Sequence, residues 1–185
     1  MPQIQAVMDA LRKGLCVVLP RDIGYVLAVD LFQTESHAVL LGSPKEKIPA
    51  VLVADVDHLG ALTDSLSTDA QVIIHRFLPG TVKIAVHPSS MVPATALMEN
   101  GLVALGVPSQ PVARNIIAEF GRPLLTVPCP EGPSDSRAAA VLDVGPLSQT
   151  VATVIDVTVR PARLLRVGVP ERGTLERYIL LEDNP

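Results

Sequence analysis

The sequence has no tryptophan, three phenylalanines, two tyrosines and two cysteines. Aromatics this sparse argue against a stacking platform for single-stranded nucleic acid. Cys16 and Cys129 belong to no C-x-x-C pair and make no disulfide framework in a chain of 185 residues. Long apolar runs are missing too. Apolar residues make up 48% of the chain and the mean hydropathy is +0.38, yet Pro, Gly, Asp or Arg breaks every run short of the roughly 18 residues that span a bilayer. No membrane partner is expected. The opening MPQIQAVMDALRKG lacks the basic region, apolar stretch and cleavage site of a signal peptide, so a cytoplasmic address is expected. The net charge of −4 disfavours broad polyanion binding while leaving room for a local basic cleft.

Familiar catalytic signatures are absent as well. There is no G-x-x-x-x-G-K-[ST] phosphate loop, and PGTVK has a Gly and a Lys without that spacing. No G-x-G-x-x-G follows the first strand, and no G-x-S-x-G occurs. His37, His58, His75 and His87 lie 21, 17 and 12 residues apart, without the short-range pairing of a metal site, and no metal is expected. Cys129 in PCPEG has no neighbour that visibly activates it.

What is present is an alternation of helices and strands. Ile4, Val7, Met8 and Leu11 share a helical face that stops at Gly14, and LCVVLP then reads as a buried strand. YVLAVDL is a second strand, and TESHAVLLG a short helix with Thr34 as N-cap and Gly42 as stop. SPKEKIP is an exposed loop and AVLVAD a strand. DVDHLGALTD and STDAQVIIHRF read as helices, the second capped by Ser67 or Thr68. KIAVHP is a strand, PATALMEN a short helix and GLVALGVP a strand. QPVARNIIAEFG is a helix opened by Pro and closed by Gly. PLLTVP is a strand leading into the loop CPEGPSDS, and SRAAAVLD is expected to be helical. VATVIDVT and RLLRVG read as strands, and ERGTLERYILLEDNP closes with a helix and tail. No repeat or linker interrupts the pattern, which implies one α/β domain around a twisted mixed sheet.

The order of several short segments carries a resemblance. GLCVVLPRDIGY resembles the start of the YrdC/YciO domain family, with Gly14, Pro20, Asp22 and Tyr25 fitting its G-x-x-x-x-x-P-T-D-[TS]-x-Y pattern. FLPGTVKIAV is similar to the family's W-P-G-P-x-T segment and strand, VALGVPSQP to ALRVPxxP, and GRPLLTVPCP to GxPLxSTSAN. ATVID followed by LLRVG is similar to STVVD followed by LRxG. Gly24–Tyr25 and VPATALMENGLVALGVPS look closest to the YciO branch. The resemblance implies a single α/β (α+β) domain of the YrdC/RibB-like kind over residues 1–170, a twisted mixed sheet with flanking helices, followed by a C-terminal helix and tail over 171–185. It also implies a concave cleft. In the YrdC branch that cleft takes ATP, threonine and bicarbonate to make threonylcarbamoyl-AMP for tRNA modification, and double-stranded RNA binding is attributed to the family.

The family's charged groups are not where its pattern puts them. Leu41 and Ser43 stand at its K-x-R positions, Pro128 and Pro130 at its S-x-N positions, and Gly106 at the arginine of ALRVP. Arg21 and Ile23 replace the two hydroxyl residues of the first loop. The two prolines also remove backbone donors from a loop that binds polyphosphate in the family. The resemblance therefore implies a degenerate active site with the standard tetrad lost. The candidate ligand-binding residues are Arg21, Asp22, Tyr25, Lys45, Lys47, Thr126, Thr153 and Arg166, with no catalytic residue assigned. Lys45 and Lys47 are either relocated cations or solvated loop charges, and Arg21 is either a cleft residue or a surface ion-pair partner. Asp22 either meets the ligand or caps a neighbouring backbone, and Tyr25 either meets the ligand or fills the core with its hydroxyl at the surface. The expected function is binding of a nucleotide (ATP or AMP, with Mg) or a threonine-like anion. Residual synthesis or hydrolysis of threonylcarbamoyl-AMP, and an RNA-binding or interaction scaffold, are the alternatives. A homodimer is compatible with the high hydropathy.

Overall fold

A computed structural model describes residues 2–42, 48–148 and 150–183. Nine strands form one sheet: β1 (Val17–Arg21), β2 (Gly24–Asp30), β3 (Ala50–Leu52), β4 (Lys83–Val86), β5 (Val103–Gly106), β6 (Leu124–Pro128), β7 (Ala140–Val141), β8 (Val154–Asp156) and β9 (Arg163–Arg166). Their spatial order is β7-β1-β2-β6-β3-β5-β4-β8-β9. The β1–β7, β3–β5 and β4–β8 pairs are parallel and the others antiparallel, which makes the expected mixed sheet.

Alternate residues of each strand point to opposite faces, and here the two faces bury different cores. Val18, Leu27, Val29, Val51, Ile84, Val86, Leu105, Leu125 and Val127 enter the main core. Helices α2 (Thr34–Leu41) and α3 (Thr68–Phe77) contribute Leu40, Ala70 and Ile73 to it. Leu175 of α5 (Arg172–Leu175) and Ile179 dock into the same core. On the opposite face, Val17, Leu19, Val26, Ala28 and Leu124 pack under α1 (Pro2–Arg12) and α4 (Pro111–Phe120) through Met8, Leu11, Ile116 and Ile117. Each such side chain removed from water contributes roughly 1.5–3 kcal/mol before chain entropy is charged against it. A third, smaller apolar group on that face joins Ala50, Ala85, Leu102, Ala104 and Val154.

Local signals explain most boundaries. Ser67 caps α3 by accepting from Ala70 N–H at 3.1 Å. Pro111 opens α4, and Gly121 closes it in the left-handed region. Other expectations are corrected. SRAAAVLD is not helical: Ala140 and Val141 pair with Val17 and Val18, and Ala139 and Leu142 donate to Cys16 O at 2.8 Å and Val18 O at 2.9 Å. The backbone needs of the β1 edge outweigh the helix preference of three alanines. DVDHLGALTD tightens to a 3-10 helix, Val56–Leu62, and PATALMEN to a single 3-10 turn, Ala94–Ala96. The helix after residue 170 shrinks to the one turn of α5. Thr34 is the first residue of α2, behind Gln33, whose side chain makes no cap bond.

Candidate functional site

The register aligns one row of residues across the sheet on the face opposite the main core. Leu52 pairs with Gly106, Lys83 with Val154, and Val154 with Arg166. The β4–β5 register, with Ile84 against Leu105, brings Lys83 alongside Gly106. Cross-strand partners share a face. Lys83 and Arg166 both pair with Val154, Arg166 across an irregularity in the β8–β9 register between Val154 and Ile155, and the two are near enough to interact electrostatically. Gly106 makes this packing workable. A Cβ at 106 would meet Lys83 Nζ at 2.6 Å and Cε at 2.8 Å, so the lysine tail lies where a side chain at 106 would start.

Arg21 comes from the far side of the sheet, at the end of β1. Only 8% of it is exposed. Among the described residues, its buried Nε and Nη2 have no hydrogen-bond partner. Burial draws the guanidinium down to about 10, with Arg166 pushing the same way and Asp22 opposing. Burial also lowers Arg166, whose Nε donates to Ala152 O at 2.9 Å. Lys83 is wholly buried. Its ammonium donates only to carbonyls, Val82 O at 3.2 Å and Gly80 O at 3.5 Å, and forms no ion pair among the described residues. Burial, then the charges of Arg21 and Arg166, hold it well below the ordinary lysine range, and Asp22 opposes them. The nearest carboxylate is engaged elsewhere: Asp22 accepts from the Ser109 hydroxyl and from Ser109 N–H at 3.3 Å.

Among the described residues, three basic side chains, Arg21 and Lys83 buried and Arg166 half-buried, face one occupied carboxylate. Unpaired buried ions are disfavoured by several kcal/mol each, so an arrangement of this kind calls for an anion. A cavity of about 40 Å³ lies against it, lined by Arg21, Gly24, Tyr25, Pro128, Ala152 and Arg166 among others. Tyr25 is shared with a wider cavity of about 420 Å³ that runs past Pro130, Ser134, Asp143 and Pro146. The Tyr25 hydroxyl lies 2.7 Å from Gly145 O and 3.0 Å from Asp143 Oδ1, and accepts from Val144 N–H at 3.0 Å. Burial pushes the phenol up. The tyrosine thus pins the 143–145 segment over the cavity mouth.

The eight candidates divide by placement. Arg21, Tyr25 and Arg166 line the small cavity, whereas Asp22 is not among its lining residues and gives its carboxylate to Ser109. Thr126 is buried in β6 with its hydroxyl donating to Ala50 O at 2.8 Å, a cross-strand bond. Thr153 donates to Pro170 O at 2.7 Å and accepts from Gly168 N–H at 2.8 Å. It tethers the segment after β9, where Gly168 lets the backbone close on Val151: a Cβ there would sit 2.7 Å from the Val151 carbonyl carbon. Lys45 and Lys47 lie outside the described residues, as does Ser43. Leu41 ends α2 and Pro128 ends β6. Pro128 stands in the cavity wall and offers no donor. Among the described residues, no group of three or more His, Cys, Asp or Glu is placed to hold a metal ion, and no helix is long and apolar enough to cross a membrane.

Sequence reading missed Lys83. The signal was available in TVKIAV, where strict alternation puts Lys83 and Ile84 on opposite faces of a buried strand.

Comparison with known proteins sets this geometry in context. The profile of the Sua5/YciO/YrdC family, described as telomere recombination, matches residues 9–129. A putative threonylcarbamoyl-AMP synthase of Mycobacterium tuberculosis is 28% identical over 181 residues, covering 89% of this chain and 83% of that protein. Among solved structures, Pyrococcus abyssi Sua5 complexed with L-threonine superposes with a TM-score of 0.80 at 22% identity. The match takes in 97% of this chain and 58% of that longer one. YciO of Escherichia coli superposes with a TM-score of 0.78 at 21% identity over 90% of this chain and 89% of its own.

Proposed function

The chain belongs to the Sua5/YciO/YrdC family, and from that premise we propose that its cleft binds a small molecule carrying one oxyanion group. The phosphate of an adenine nucleotide or the carboxylate of a threonine-like amino acid would be held between Arg21 and Arg166. The observation that carries this reading is the Arg21 guanidinium, buried with two unpartnered nitrogens. A guanidinium offers paired donors to carboxylate and phosphate oxygens. An oxyanion in the adjoining cavity would give these nitrogens the acceptors that the described residues do not supply. The body of the ligand would extend past Tyr25 into the wider cavity. The complex of the Pyrococcus abyssi relative with L-threonine supports a ligand of this class.

Standard synthase chemistry is not part of the proposal. Leu41, Pro128 and Pro130 offer no side-chain donor or charge where the family pattern has Lys, Ser and Asn, and the two prolines offer no N–H either. Among the described residues, magnesium would find a single carboxylate at the cation cluster, Asp22, already bonded to Ser109. The residues present do not fit a metal-bridged triphosphate.

Calorimetric titration of AMP, ATP and L-threonine separately into the purified chain tests the reading. At least one should bind, and Arg21→Gln should weaken that binding ten- to a hundredfold, the scale of a charge-assisted hydrogen bond. Absence of binding by all three, or an Arg21→Gln chain that binds as tightly as wild type, would overturn it. An assay for threonylcarbamoyl-AMP formation should give no product.

A further inference from the structure

We infer that Lys83 is the proton-accepting amine of this site, so that an oxyanion bound between Arg21 and Arg166 enters together with a proton that settles on Lys83. The inference rests on the proposed anion site and adds a regulating residue to it.

The geometry comes first. Lys83 is anchored in β4 with its side chain laid across Gly106 of β5, and Arg166 is two strands away in the same row. Its amine is wholly buried and meets only the carbonyls of Gly80 and Val82. The charged groups facing it are Arg21 from β1, Arg166 from β9 and Asp22 from the β1–β2 turn. Two of these are positive, and the third is engaged with Ser109. Nothing among the described residues compensates an ammonium here.

Burial and the two arginines accordingly favour the neutral amine. An oxyanion placed between the same two arginines reverses the local balance. Its negative charge offsets them and favours the ammonium, because an opposite charge nearby stabilises the charged form. The proton balance is simple: the amine lone pair forms an N–H bond as hydronium or the buffer acid gives up its proton, and the buffer's conjugate base stays in solution. Arg21, drawn down only to about 10, stays charged near neutral pH and cannot supply the same response.

By linkage, a proton taken up on binding makes affinity rise as pH falls. Sulfate is the cleanest probe because it does not itself titrate near neutral pH. Sulfate and AMP would be titrated into wild type, Lys83→Met and Lys83→Thr in two buffers of different ionisation enthalpy, between about pH 6 and pH 9, below the ordinary lysine value. Wild type should take up between a few tenths and about one proton per sulfate, with affinity falling by up to tenfold per pH unit. Either lysine variant should bind sulfate with no proton uptake and a flat pH profile.

Sulfate binding by wild type without proton uptake would overturn the role of Lys83 and leave the anion site standing. Uptake that persists in both variants would do the same, placing the proton elsewhere. Failure of wild type to bind either sulfate or AMP would overturn the inference and the anion site together. Two variants of different size guard against one that folds poorly.

Discussion

Ser109 binds Asp22 twice, through its hydroxyl and through its backbone N–H at 3.3 Å. This engages the one carboxylate that faces the cations among the described residues. Asp22 still opposes Arg21 and Arg166 electrostatically, raising both Arg21 and Lys83. Asp22→Asn keeps an acceptor for Ser109 while deleting the charge. Its affinity for AMP should rise by roughly three- to tenfold, the order of one charge interaction at surface dielectric. Calorimetry at low salt reads this directly, and an unchanged or weaker affinity would contradict it.

Lys83→Met should make the ligand-free chain more stable. Burying an amine that meets only two backbone carbonyls costs free energy that an apolar side chain of similar volume does not. The sign of the pH effect follows from the lowered lysine. The unfolded chain binds a proton that the folded chain releases, so the wild-type contribution to stability rises as pH climbs towards about 10.4 and falls below it. Urea denaturation across this range should show that slope in wild type and its loss in Lys83→Met.

Gly106 and Lys83 should behave as one unit. Gly106→Ala puts a methyl group against the buried lysine tail and should cost about 1–3 kcal/mol, the range for overpacking. In a Lys83→Ala background the same change should cost much less. A double-mutant cycle is expected to give a coupling of about 1–2 kcal/mol, within the range for residues in contact. Additive effects would mean that the lysine tail lies elsewhere.

Cys129 should be inert in the folded chain. It is buried, and its Sγ lies 3.2 Å from Asp135 Oδ2. Burial, followed by the Asp135 hydrogen bond and charge, pushes the thiol up to about 12. Cys16 is also buried and raised. The thiolate is the reactive form, so iodoacetamide near pH 8 should leave both cysteines unmodified until denaturant is added. Mass spectrometry of the native reaction checks this.

Arg137→Ala should destabilise the fold by about 3–5 kcal/mol, because it strands a buried carboxylate. Arg137 clamps Asp135 with Nε to Oδ1 at 2.9 Å and Nη2 to Oδ2 at 2.5 Å, and the Asp135 side chain is 1% exposed. That pairing holds Asp135 well below the usual carboxylate range. Its contribution is present above about pH 4, the ordinary value of an unfolded aspartate, and is lost as pH falls through the lower folded value. The variant should therefore show a smaller drop in stability on acidification.

Much of the fold could be read along the chain because the signals are local. The helix stop at Gly121, the proline at Pro111 and the β1–turn–β2 unit around Pro20 and Tyr25 depend on neighbouring residues alone. SRAAAVLD could not be read this way, because its strand pairing with β1 comes from distant sequence. The site divides along the same line. Arg21 and Arg166 stand out as charges at the ends of apolar strands. Lys83 needed knowledge that β4 and β5 are neighbours, since only then does Gly106 explain where a buried lysine goes. Thr126 and Thr153 show the converse: their hydroxyls fit a ligand on paper, yet the structure gives them to Ala50 O and Pro170 O.

The most direct test of the anion site is a crystal structure of the chain grown with AMP. The account predicts phosphate density between Arg21 and Arg166, with Arg21 Nε and Nη2 donating to its oxygens. A structure in which AMP binds away from both arginines, with the Arg21 nitrogens still unpartnered, would contradict it.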